Sequence, residues 1–280
     1  MANETTYALI QSWLPDIVEA TEMLLMKDTV MPGLVTVFSD RTGREPRRAD
    51  KYSAGTVGTV AETADLSTLQ EFSRTPFGTV TPAEIGSAYL ITDARMESDN
   101  VPNIMSDFLE VNRYVFASKV DVDLLGAISS FTGGSVGSAG SALTWDTIAK
   151  AEAIAVASGI PGPYSVVIHP YAALQLGIGR ANAVPLVIEP ALRAANQFYV
   201  GSFGALGIYR APLLTAGTAV VQGLFNRRAI AFDMRRAFRV EPQRDASKRA
   251  TELIPTMVYA SGVWRSDMGV KIVSDASVPS

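Results

Sequence analysis

Residues 55–92, GTVGTVAETADLSTLQEFSRTPFGTVTPAEIGSAYLIT, read as extended arms with almost nothing to bury. Period-two alternation of Thr, Val and Gly predicts strand, with Gly55–Ala61 and Phe77–Thr92 as the two arms and Glu62, Asp65 and Glu71 on the tip between them. A two-stranded hairpin without a core is marginal in water. Its cover has to come from the rest of the chain or from another copy of it, and either answer constrains the whole fold.

The rest of the chain can supply a core. It has 280 residues and 48% hydrophobic content, enough for one large or two ordinary domains. No signal-peptide pattern, lipidation motif or apolar run of about 18 residues is present, so a soluble chain is expected and no membrane partner. The absence of Cys removes disulfides and thiolate chemistry and fits synthesis in a reducing cytoplasm. A net charge of -4 conceals segregation: Arg41–Lys51 and Asn226–Arg249 are basic, whereas Asp93–Asp123 is acidic. Basic runs of this kind contact phosphates or pair with acidic neighbours.

Periodicity places the remaining elements. LPDIVEATEMLLMKD predicts a short amphipathic helix, with Pro15 in its first turn and Ile17 and Leu24 on its apolar face. The longest helical pattern runs from about Asn103 to Ser130, with Ile104, Phe108, Val111, Val115, Val122 and Leu125 as its stripe. At 1.5 Å per residue it spans on the order of 40 Å, a spine rather than a cap. TGGSVGSAGSA then reads as a flexible hinge. From Thr144 helix and strand alternate (TWDTIAKAEAIAVAS, SVVIH, PYAALQLGIG, TAVVQGLFN), and the tail from Ala229 reads as long strands.

Catalytic signatures find little support. GGSVG (Gly133–Gly137) matches the nucleophile-elbow pattern around Ser135, but it follows a helix, and His169 is the only imidazole available as a base. There is no phosphate loop, Asp121–Asp123 falls short of a calcium loop, and one His without Cys disfavours zinc. No catalytic residue, cofactor or metal is expected.

The order of these elements resembles the major capsid proteins of tailed bacteriophages, the Hong Kong 97 fold, over nearly the whole chain. The resemblance is carried by AETADLS, TPAEIGSAYLITDARMES, KVDVDLLGAI, GPYSVVIHPYAALQL, GSFGALGIYRAPLL and GVWRSDMGVKIVSDAS in sequence. It implies an α+β chain with an N-terminal arm (1–45), an extended β-hairpin loop (46–92), a peripheral domain with the spine helix (93–140 and 223–280) and an axial α/β domain (141–222).

It also implies a shell protein made in a bacterial host and located in the virion. Such a protein assembles as pentamers and hexamers of an icosahedral shell around non-specifically held double-stranded DNA. A separate scaffolding protein, a portal and decoration proteins are the expected partners, because the arm-like helix begins near Ser12. Lys51 at the loop base is the one Lys near the loop, and no covalent crosslink is expected.

Inter-subunit contacts are expected from Tyr52, Val57, Val60, Leu66, Leu69 and Phe72 in the loop and from Trp13, Ile17 and Leu24 in the arm. Arg41, Arg44, Arg47 and Arg48 are the candidate DNA or ion-pair contacts, the latter to the acidic spine of a neighbour. An encapsulin nanocompartment shell is the alternative within the same fold, and a serine hydrolase on Ser135 and His169 is the remote one.

Overall fold

The computed structural model describes residues 30–53, 55–60, 62, 70–97, 104–178, 198–203 and 206–279. In chain order the strands are β1 (Thr36–Phe38), β2 (Arg47–Tyr52), β3 (Arg74–Val80), β4 (Ala83–Gly86), β5 (Tyr89–Thr92), β6 (Ser135–Ala142), β7 (Tyr164–Ile168), β8 (Tyr199–Phe203), β9 (Leu206–Arg210), β10 (Gly217–Asn226), β11 (Ile230–Asp245), β12 (Ala250–Val263) and β13 (Gly269–Ala276). The helices are α1 (Asp93–Met96), α2 (Ile104–Gly126), α3 (Trp145–Ala157) and α4 (Pro170–Ile178). This mixture is the α+β class expected.

The chain makes two large sheets and one small one. The first has the order β1–β11–β12–β4, with β5 also on β12. β11 and β12 form a long antiparallel ribbon from Ile230↔Val263 to Asp245↔Ala250. β4 pairs with Tyr259–Thr256 and β5 with Leu253–Ala250, one after the other along the same edge. The second sheet has the order β6–β13–β10–β7–β9–β8, and β2–β3 stand apart as a hairpin.

α2 is the spine, though its inward face is not the one periodicity selects. Phe108, Asn112, Phe116, Val120 and Leu124 are buried at steps of four, with Ala117, Asp121 and Leu125 beside them. Val111, Val115 and Val122 are exposed instead. Two polar residues take core positions because each finds partners. Asn112 donates to the Phe108 carbonyl at 2.8 Å and accepts from Ser87 Oγ at 3.3 Å, and Asp121 accepts two backbone N–H groups. Phe116 meets Phe238 of β11 edge-on, centroids 5.1 Å apart, so the spine packs on the long ribbon. Each such aromatic burial contributes about 1.5–3 kcal/mol.

The Gly/Ser segment read as a hinge is an edge strand. β6 pairs in parallel with β13 through Ser135↔Lys271, Ile272↔Val136 and Val273↔Gly137. Gly137 explains the composition: it has φ +80°, and a Cβ there would stand 2.2 Å from the Val273 carbonyl oxygen. Only glycine meets both demands, so what resembles a linker is a tight strand contact. The final strand, expected to return to the spine, lies inside the second sheet between β6 and β10.

α3 forms where predicted. Thr144 caps it, its Oγ1 accepting from the Thr147 N–H at 3.2 Å, and Ile148, Ala151 and Ala155 bury its inner face. One continuous core runs from Val30 through the spine and both sheets to Ala276.

Candidate assembly site

The hairpin is built one strand earlier than the Thr/Gly pattern indicates. Its arms are β2 and β3, paired from Arg47↔Val80 to Tyr52↔Arg74. Gly55–Val60 has no strand partner among the described residues. There the Gln70 amide takes the place of a strand: Oε1 accepts from the Thr56 N–H, and Nε2 donates to the Thr56 carbonyl, both at 2.6 Å. β4 and β5, expected in the second arm, belong to the large sheet. Arg-rich β2 escaped a strand assignment because its charges alternate between an ion-paired interior and solvent, which hydropathy does not register.

Arg47 shows this. Its guanidinium is nearly buried and donates from Nε to Asp233 Oδ2 at 2.7 Å and from a terminal nitrogen to Asp40. Asp233, fully buried on β11, also receives Arg235 at 2.8 Å. Arg235 in turn donates to the Gly43 and Glu45 carbonyls, both at 3.1 Å. Two guanidinium groups thus share one buried carboxylate and clamp the loop before β2 onto the ribbon. Gly78 of β3 closes the junction, because a Cβ there would lie 2.2 Å from the Trp264 carbonyl oxygen.

Outward from this anchored base, the hairpin exposes apolar groups. Tyr52 and Phe72 stack across it at 4.6 Å between centroids and 5° between planes, yet Phe72 remains 74% exposed. Val57 is fully exposed, and Val60 is about half exposed. Leu66 and Leu69, and the arm residues Trp13, Ile17 and Leu24, lie outside the described residues.

The remaining basic candidates divide. Arg41 stands 4.0 Å from Asp40 on the surface. Arg44 pairs with Glu84, which Arg236 also reaches. Arg48 is exposed and has no ion-pair partner among the described residues. On the acidic side Asp93 binds Arg244 through two bonds of 2.6 Å, and Asp123 accepts from Lys119 and from Tyr259 Oη, both at 2.6 Å. The pairing anticipated between neighbouring copies is therefore met inside one chain for Arg44, Arg47 and Asp93. Reading missed Asp233, Arg235 and Glu84. The signal available was an Asp inside the apolar run AIAFDM, which a core strand admits only with a partner.

Asp121 has no cationic partner. Its oxygens accept from the N–H groups of Met31 at 3.2 Å and Val30 at 3.4 Å, which ties the start of the described chain to the spine. Burial pushes its pKa up to about 6, against the downward pull of those two bonds. A carboxyl raised above its unfolded value of 3.8 contributes stability that is complete below that value and lost as pH rises through about 6. The difference in unfolding free energy between wild type and Asp121→Asn is therefore expected to favour wild type by about 3 kcal/mol more at pH 4 than at pH 7.5. Urea titrations at the two pH values measure it, and an equal difference at both would show that Asp121 does not titrate in this range.

The Ser135–His169 pair does not assemble. Ser135 lies opposite Lys271, Lys271 opposite Gly223 and Gly223 opposite Val167, two residues before His169. Three strand spacings place them about 14 Å apart, far beyond hydrogen-bond reach. His169 instead starts α4, its Nδ1 accepting from the Tyr171 N–H at 3.1 Å, and burial lowers its pKa. Among the described residues no group of three or more His, Asp or Glu is placed to hold a metal, and no helix is long and apolar enough to cross a membrane.

No family profile matches this chain, and no curated protein matches it. Solved structures do. A Mycobacterium phage Che8 structure is 20% identical and superposes with a TM-score of 0.67 over 88% of this chain and 91% of that one. The capsid of Ralstonia phage GP4 is 11% identical, with a TM-score of 0.69 over 88% of both chains. The capsid of the native GTA particle is 12% identical, with a TM-score of 0.68 over 89% of this chain and 94% of that one.

The chain has the Hong Kong 97 capsid fold. Within that fold the β2–β3 hairpin is the extended loop, α2 the spine, and the β11–β12 ribbon the sheet on which the spine rests. The match covers nearly all of both partners, so this chain carries the fold without a large insertion. Neighbours of this kind are capsid structures, which points away from catalysis.

Proposed function

We propose that the chain is a major capsid protein that self-assembles into the icosahedral head shell of a tailed, double-stranded DNA bacteriophage. The observation that carries this reading is the hairpin: a projecting arm in a capsid fold, rigidly anchored at Arg47 and Gly78, that exposes a stacked aromatic pair and two valines. Apolar surface displayed on an anchored arm is a contact awaiting a partner. A neighbouring copy buries Tyr52, Val57, Val60 and Phe72, and the arm residues Trp13, Ile17 and Leu24 add a second latch.

In this proposal residues 46–92 are the loop, 93–140 and 223–280 the peripheral domain, 141–222 the axial domain and 1–45 the arm. Copies associate as pentamers and hexamers in the virion, made in the bacterial cytoplasm with a separate scaffolding protein and closed by a portal. Decoration proteins bind outside, and DNA is held without sequence preference. Arg48 and Arg41 are the basic groups best placed for it, because Arg47 is spent inside the fold. The protein acts by packing and geometry and performs no catalysis.

Expression of the full chain, alone and with a scaffolding protein, tests the reading by size-exclusion chromatography and negative-stain electron microscopy. Closed shells of uniform diameter are expected. A chain that stays monomeric at high concentration under both conditions overturns it.

A further inference from the structure

The spine carries a second apolar face that the fold does not use. Val111, Tyr114, Val115 and Val122 recur at offsets of three, four and eleven, one side of a helix, and are 43% to 68% exposed. Nothing among the described residues covers them. Three of the four are β-branched, with little to gain from water, and Tyr114 is the most exposed of all.

The chain itself leads to this face. Val30 and Met31 are held by their backbone N–H groups to Asp121. Asp121 stands seven residues, about two turns, beyond Tyr114 and so on nearly the same line of the helix. The residues before Val30 carry the amphipathic pattern around Ile17, Leu24 and Leu25. A segment that leaves Asp121 and follows the stripe runs antiparallel to α2. Six residues back from Val30 is Leu24, six back from Asp121 is Val115, and equal rise per residue sets the two opposite each other.

We propose that residues 13–26 of this chain lie along its own spine, with Leu24 against Val115 and Tyr114. Attachment at Asp121 gives the segment an effective concentration in the millimolar range, which favours its own spine over that of another molecule. Asp121 is then the latch that aims the segment, and the exposed stripe is its seat. This inference does not rest on the shell reading, because it concerns contacts within one chain.

The absence of Cys makes the test direct. Leu24→Cys is combined with Val115→Cys, and separately with Val156→Cys, an exposed position on α3. Circular dichroism checks that both variants fold. After mild oxidation, non-reducing gels and intact mass are expected to show an intrachain disulfide in the 24–115 pair at least about tenfold more abundant than in the 24–156 pair. Leu24→Cys and Val115→Cys on separate chains, mixed before oxidation, report contact between copies. Predominant interchain dimers would mean that another molecule's segment occupies the stripe, and equal intrachain yields would mean that nothing is seated there. Either result overturns the proposal.

Discussion

Replacing Asp233 with Ala is expected to lower the unfolding free energy by about 3–5 kcal/mol, the range for removing one partner of a buried ion pair. The loss is large because Asp233 neutralises two guanidinium groups. Without it Arg235, whose side chain is 1% exposed, keeps only the Gly43 and Glu45 carbonyls, and Arg47 keeps only Asp40 at the surface. Two positive charges then remain in a space that excludes water. Asp233→Asn retains an acceptor but not the charge and should fall between wild type and Ala. Urea midpoints measure the ranking. Hydrogen exchange adds a local readout, because β2 amides should lose protection before those of β7 if the network anchors the hairpin. A midpoint for Asp233→Ala within about 1 kcal/mol of wild type would show that water replaces the carboxylate without penalty.

Removing the exposed ring pair is expected to have the opposite profile: little effect on the chain, a large one on association. In Tyr52→Ala/Phe72→Ala only the intrachain stack is lost, about 0.5–1.5 kcal/mol at most, since both rings already face solvent. In a shell each ring fills a neighbour's surface, and aromatic contacts of that kind contribute about 2 kcal/mol or more apiece. Repeated in every copy, the deficit should reduce the yield of closed shells at least tenfold, about 1.4 kcal/mol per copy being sufficient. Thermal melts compared with particle counts separate the two effects. Shells formed at wild-type yield would remove the hairpin rings from the assembly contact.

Much of the architecture was legible because it rests on local chemistry. Thr144 before an alternating apolar run makes α3, the β-branched run SVVI makes β7, and the long tail strands follow from uninterrupted strand pattern. The candidate site was legible in part. Tyr52 and Phe72 were found as exposed aromatics beside a loop, whereas the arm that displays them was placed eight residues too late. The Thr/Gly pattern of Gly55–Ala61 suits a strand but has no strand to pair with, and the charged pattern of Arg47–Tyr52 does have one.

Order and type of the main elements, the spine and the presence of a projecting loop follow from the amino-acid sequence alone, since periodicity, caps and breakers act within a few residues of each other. Which face of the spine turns inward, whether Gly/Ser is hinge or edge strand, and which charges are spent inside one chain were decided only by tertiary contact. Val111 and Phe108 are equally apolar in one dimension, and the neighbouring β5 and β11 choose between them. Gly137 is free to bend until Val273 approaches it. Arg47 looks like a solvated cation until Asp233, 186 residues away, is brought beside it. Burial and pairing depend on which distant residues meet, and short-range pattern holds no record of that.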